Sequence, residues 1–154
     1  PVSLITLEDT RFLHCNIKTL NLIPSVIASQ KAKDAGADEA VLYRPGELVT
    51  ECAHSNVHIL KDGVLKTHPA DNLILGGIAR AHLLRACAAL SVPTDETAFT
   101  LSELFDADEV IVTSSSNLCI RAEKIDGKPV GGKAPELFER LRSYLIDEFL
   151  TETA

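Results

Sequence analysis

Apolar residues in this chain come in short runs that switch between two periods, and the switches lay out its elements. Residues 1–6, Pro1-Val2-Ser3-Leu4-Ile5-Thr6, read as a strand. A first helix is predicted over 22–35: Pro24 fits its first turn, Val26, Ile27 and Ala28 lie inside it, and Gly36 supplies the stop. A strand follows at Ala40-Val41-Leu42-Tyr43, then a turn at Arg44-Pro45-Gly46-Glu47, then a strand through Leu48-Val49-Thr50-Glu51. Strands at 57–61 and 64–67 flank Asp62-Gly63, a hairpin signal because both turn positions favour positive φ. The second helix should begin at Gly77-Ile78 and run to about Leu90, before Ser91-Val92-Pro93. Val110-Ile111-Val112-Thr113 is a β-branched run suited to a strand buried on both faces. Another strand spans 119–125 and ends at Asp126-Gly127. The last helix starts near Pro135, with Leu137, Phe138, Leu141, Leu145 and Phe149 on one apolar face.

Interleaved strands and helices, with hairpins and crossovers both present, predict an α/β (mixed α+β) fold. It should be a mixed sheet with flanking helices, some strands curling into a partial barrel. The 154 residues suffice for one domain with a real core, and no linker or repeat interrupts them. With 22 acidic against 15 basic residues the net charge is −7, which argues against a nucleic-acid or anionic-membrane partner. No apolar run approaches a transmembrane helix or a signal peptide. Cys15, Cys52, Cys87 and Cys119 form no CxxC pair and read as reduced thiols, so a cytoplasmic location is expected. The chain contains no methionine and opens directly on a strand, which suggests part of a longer product.

Candidate chemistry centres on the stretch from His14 to Ile23. Lys18 lies between Ile17 and Leu20, with no acidic residue closer than Asp9. An ammonium held among apolar groups loses hydration, its pKa falls, and the neutral amine becomes a nucleophile. The alternative is a lysine that snorkels its head to water. Leu75-Gly76-Gly77-Ile78-Ala79-Arg80 feeds a loop into a helix, where bare backbone N–H groups suit a phosphate, or where the glycines form a plain turn. Ser114-Ser115-Ser116-Asn117, at the exit of a buried strand, suits an anion or is a polar loop. Glu51, flanked by Thr50 and Cys52-Ala53, needs a partner: a protonated pyridine nitrogen, a backbone group or an arginine would each serve. His54 and His58 have metal-ligand spacing only on a helix, and their segment reads as a strand without a third ligand.

An isolated lysine, a carboxylate, a glycine-rich helix start and a hydroxyl loop together match aldehyde, ring nitrogen and phosphate. Ile17-Lys18-Thr19-Leu20-Asn21-Leu22, then Glu51, Asn56, Leu65, Thr67, Leu75, Gly77, Ile78 and Arg80 in order, resemble the fold type IV (class IV) pyridoxal-phosphate aminotransferases. Within that group the resemblance points to the D-amino-acid enzymes. It implies that pyridoxal 5′-phosphate is the cofactor and that Lys18 forms the Schiff base and shuttles the substrate's proton. It implies too that Glu51 holds the ring nitrogen protonated, that Leu75 packs on the ring, and that Ile78, Ala79 and the Ser115 hydroxyl, with Gly77 and Ser114 beside them, hold the phosphate. Expected partners are a small amino acid, a 2-oxo acid and a second copy in a homodimer. Aminodeoxychorismate lyases and branched-chain L-amino-acid aminotransferases share this geometry, and a catalytically silent remnant would share the fold. Three departures stand out: His58 replaces Phe or Tyr, His54 a small hydroxyl residue, and Ala79 a threonine. Such enzymes carry a smaller N-terminal domain ahead of the lysine domain. Residues 1–154 are therefore expected to be the larger, cofactor-binding domain.

Overall fold

The computed structural model describes residues 1–152. They form, in chain order, β1 (Val2–Glu8), α1 (Ile23–Asp34), β2 (Glu39–Arg44), β3 (Leu48–Cys52), β4 (Asn56–Lys61), β5 (Val64–Thr67) and α2 (Ile78–Ala89). Then come β6 (Thr94–Asp95), α3 (Leu101–Asp106), β7 (Glu109–Thr113), β8 (Ile120–Ile125), β9 (Lys128–Pro129) and α4 (Pro135–Glu152). Every element read from the sequence is present, with ends shifted by one or two residues. The β4–β5 turn has φ +50° at Asp62 and +78° at Gly63, and Gly36 ends the first helical segment at φ +73°. Three short elements went unread: α3, β6 and β9. α3 carried a signal, a Thr100-x-x-Glu103 capping box in which each side chain bonds the other's backbone N–H.

The sheet is mixed, in the order β3-β2-β1-β8-β7-β4-β5-β6, with β9 on β8. β1 runs parallel to both β2 and β8, whereas β7 is antiparallel to β4 and β8. The sheet curls. Leu4, Val41, Val49, Val57, Ile59, Val110, Val112, Ala122 and Ile125, from six neighbouring strands, share one buried cluster. Six strands can converge on one core only if the sheet wraps round it. Phe99, Leu104 and Ala107 fill one side of that interior, and the 99–101 segment bonds to the β3 edge through Val49 N–H to Phe99 O and Leu101 N–H to Glu47 O. Cys52 N–H donates to Ser55 O where β3 turns into β4, drawing the two ends of the half-barrel together.

Outside the barrel, α2 and α4 cover β4, β5 and β7 through Leu83, Cys87, Phe138, Leu141 and Leu145 on Leu60, Leu65 and Ile111. The apolar face expected for α4 stops there, since Phe149 is 54% exposed. α1 differs from expectation more. It seats only Ala28 and Ala32 against Ala40, Leu42 and Ala53, while Val26 and Ile27 face outward. Small residues let helix and sheet approach closely, and the larger ones are left over.

Candidate active site

A cleft of about 720 Å³ opens where the start of β4, the end of β7 and the start of α2 meet the 11–25 segment. Lys18, Glu51, Leu75, Gly77, Ile78, Ala79, Ser114 and Ser115 all line it. Residues far apart in the chain thus share one wall system, as their chemistry had suggested.

Glu51 sits at the buried end of β3. Its Oε1 receives the Arg11 guanidinium at 2.5 Å, Asn56 Nδ2–H donates to Oε2 at 2.9 Å, and Leu75 N–H reaches both oxygens at 3.1 Å. Burial pushes the carboxyl up to about 7, against the pull of Arg11 and the Leu75 N–H. Of the partners considered from sequence, arginine is the one present, together with a backbone N–H. Arg11 is held in turn: Nε and Nη2 bond Asp9 at 2.9 Å, and Nη2 also reaches Leu73 O. Asp9 further accepts from Arg44 and from the Thr50 hydroxyl. Burial opposes ionisation of Asp9, yet the hydrogen bonds and charge of Arg11, with Arg44 behind, hold its carboxyl below the ordinary value. Sequence reading missed Arg11 and Asp9. The only signal was that Glu51 needed a partner, for which an arginine was one of the alternatives; nothing in the sequence singled out Arg11 or Asp9.

Asn56 organises the neighbouring wall. Its Nδ2 bridges Glu51 and Leu75 O, while its Oδ1 accepts Gly77 N–H at 3.2 Å. A Cβ at position 77 would run into that Oδ1, so glycine is required there by Asn56. Gly77 therefore has a reason within the protein itself, beyond the phosphate site or plain turn read from sequence. Gly76, by contrast, has open space about it. Gly77 caps α2 from an extended conformation, with no side-chain cap and no acidic residue in the first turn. The N–H groups at the start of an uncapped helix have no partner in their own helix and carry the positive end of its dipole. Ser114 accepts Asn117 N–H and contacts the Ser116 hydroxyl, so its Oγ serves its own turn. Ser115 is exposed in the cleft.

Lys18 is where the expectation changes most. Its ammonium is not enclosed: Lys18 is exposed, and Ile17, Leu20, Leu22 and Ile23 are 56%, 96%, 50% and 71% exposed. An apolar neighbourhood along the chain became an open apolar surface in space. His54 is a cleft residue with an exposed ring, its Nδ1 2.6 Å from Glu39, whose hydrogen bond raises its pKa. His58 is buried one row deeper. Among the described residues no three His, Cys, Asp or Glu side chains come together to hold a metal.

An uncapped helix start, an exposed serine hydroxyl, an exposed amine and a buried carboxylate in one cleft form a donor set fit for an anionic, ring-bearing aldehyde. Comparison with known proteins agrees. The D-alanine aminotransferase of Listeria monocytogenes serotype 4b is 45% identical over 147 residues, 95% of this chain and 50% of the relative. That of Bacillus licheniformis is 44% identical over 154 residues, 99% of this chain and 54% of the relative. Among solved structures, a fold IV-transaminase from Curtobacterium pusillum superposes with a TM-score of 0.85 at 24% identity, covering 98% of this chain and 53% of that one. A T.th. branched-chain amino acid aminotransferase with pyridoxamine 5′-phosphate gives 0.81 at 26%, covering 94% and 50%. The chain spans about half the length of the curated relatives it matches. Residues 2–125 match the family described as amino-transferase class IV, and at such coverage the chain belongs to that family.

Proposed function

We propose that this chain is the cofactor-binding domain of a pyridoxal 5′-phosphate-dependent aminotransferase that moves an amino group between a small D-amino acid and a 2-oxo acid. One observation carries the reading: the amine, carboxylate, helix start and hydroxyl loop of the sequence pattern all line one cleft. When bound, the cofactor supplies an aldehyde that captures amines and a ring that accepts the electron pair left at the substrate's Cα. Lys18 Nζ would be the attachment point and would carry the proton to and from that carbon. Glu51, pushed up to about 7, would hold a proton at the ring nitrogen, with Arg11 and Asn56 fixing its orientation. The Ile78 and Ala79 N–H groups and the Ser115 hydroxyl would hold the phosphate. Leu75, half-buried in the cleft, would pack on the ring face.

The hand and size of the substrate rest on the D-alanine relatives at 45% identity, against 26% for the T.th. branched-chain enzyme. Substrate recognition would be completed by the half of the relatives that this chain does not span. A homodimer in the cytoplasm is part of the same proposal. In its support, Leu13, Ile17, Leu20, Ile23, Val26 and Ile27 leave an apolar surface for a partner, and the four cysteines are free and buried. Among the described residues no helix is long and apolar enough to cross a membrane.

The test is borohydride reduction of the cofactor-loaded chain followed by peptide mass mapping. A pyridoxyl group on Lys18, absent from Lys18→Ala, is the expected result. A main product on any other lysine would overturn the assignment.

A further inference from the structure

The alternation that builds the cleft wall also builds a row directly beneath it. On β4, Val57 and Ile59 belong to the barrel interior, so Asn56, His58 and Leu60 face α2 instead. Asn56 pairs with Thr113 and His58 with Ile111 on β7, and on its other side His58 pairs with Thr67 of β5. Asn56 and Thr113 line the cleft. One row inward lies His58, 0% exposed, with Nδ1 2.8 Å from the Thr67 hydroxyl and Nε2 2.8 Å from the Thr113 hydroxyl. Burial, aided by the charge of Arg80, pushes its pKa down to about 3, so the ring is neutral.

A neutral imidazole has one N–H and one lone pair. One threonine therefore accepts from His58 and the other donates to it. If Nε2 carries the hydrogen, Thr113 Oγ1 accepts it and keeps its own proton for another acceptor. If Nδ1 carries it, Thr113 donates to Nε2 and has only lone pairs left for the cleft. An anion beside Thr113 favours the first state and is repelled by the second. Thr113 stands where an anion is expected: Ser114 and Ser115 follow it, and its pairing partner Asn56 bonds Gly77 at the uncapped start of α2. Position 79 offers a buried methyl there, so that helix start contributes backbone N–H groups alone.

We infer that His58, as its Nε2–H tautomer, is a positioning residue that turns the Thr113 hydroxyl proton toward the cofactor phosphate, adding a hydroxyl donor to Ser115. This rests on the phosphate assignment made above. Thr67 completes the relay by donating to Nδ1.

The test titrates pyridoxal 5′-phosphate and, separately, pyridoxal into the 154-residue chain, following absorbance and the adduct trapped by borohydride. The two share aldehyde and ring, so the dissociation constant of pyridoxal divided by that of pyridoxal 5′-phosphate isolates the phosphate. Thr113→Val keeps the side-chain shape and is expected to lower the ratio roughly tenfold to a hundredfold, the size of one hydrogen bond to a charged group. Thr113→Ser should retain it. His58→Phe should lower it by less, and the double variant should lose no more than Thr113→Val alone. Nitrogen-15 NMR of the unmodified chain supplies a readout that needs no variant: the loaded chain must show His58 as Nε2–H. A ratio unmoved by Thr113→Val, or an Nδ1–H ring in the loaded chain, overturns the inference. If Ser115→Ala lowers the ratio while Thr113→Val does not, the phosphate assignment stands and only the role of His58 falls. An unmodified chain that does not distinguish the two ligands overturns both.

Discussion

Glu51 and Lys18 line the same cleft, yet their surroundings differ in almost every physical respect. Glu51 is 4% exposed, and Arg11, Asn56 and Leu75 occupy both its oxygens. Its chief partner, Arg11, is tied to Asp9, which is tied to Arg44 and Thr50. Lys18 lies on a segment of turns whose apolar side chains are mostly uncovered. A carboxylate that must keep a set protonation state needs a dry, fully bonded place, because its pKa is made by its environment. The segment carrying the amine instead exposes apolar surface, and such surface is characteristic of a contact with another body.

The contrast can be broken most severely at Arg11. Arg11→Ala leaves Glu51 buried without its cation and Asp9 with Arg44 alone, and should destabilise the chain by about 3–5 kcal/mol in a denaturant titration. A loss under about 1 kcal/mol would mean that water already reaches this end of the cleft. The double variant Arg11→Leu, Glu51→Leu should cost less than Arg11→Ala, since it leaves fewer unpaired charges.

A smaller effect is expected from pH. The Glu51 carboxyl is raised from 4.5 to about 7, so the folded chain holds this proton more tightly than the unfolded one. Its contribution is complete below about pH 4.5 and is lost as pH rises through 7, at most about 3 kcal/mol at about 1.36 kcal/mol per unit. Asp9, held below its ordinary value, acts in the opposite sense: its contribution is lost as pH falls through its lowered pKa. Thermal melts from about pH 4 to 8 should therefore show stability falling between about 4.5 and 7, and Glu51→Gln should flatten that fall. A Gln variant with the same slope would place the titration elsewhere.

The smallest change belongs to the Lys18 side. Leu20, 96% exposed, touches little, so Leu20→Ser should alter the stability of this chain by no more than about 0.5 kcal/mol. A cost above about 1 kcal/mol would show that the segment is packed in solution, and the two walls would then differ less than described.

Much of the fold was legible because it is written in local terms. Asp62-Gly63 can take two positive φ values and Gly36 one, so their turns follow from the residues themselves. The all-buried strand at Glu109–Thr113 follows from a β-branched run with no polar alternation. The cleft residues could be grouped before any geometry because each chemical type answers a different part of one ligand. Arg11 was not legible in that way: it lies 40 residues from Glu51, and no periodicity links the two. Nor was the fate of Lys18 or of α1. An apolar neighbour in sequence desolvates a charge only if the chain folds it over that charge, and α1 turned its alanines to the sheet, leaving Val26 and Ile27 outside. The sequence by itself determined where the longer strands and helices run and which chemical groups the chain carries, since those depend on backbone preference and residue type. Only the curl of the sheet decided which groups meet, because it sets which face of β3, β4 and β7 turns toward the interior and which toward α2 and the cleft.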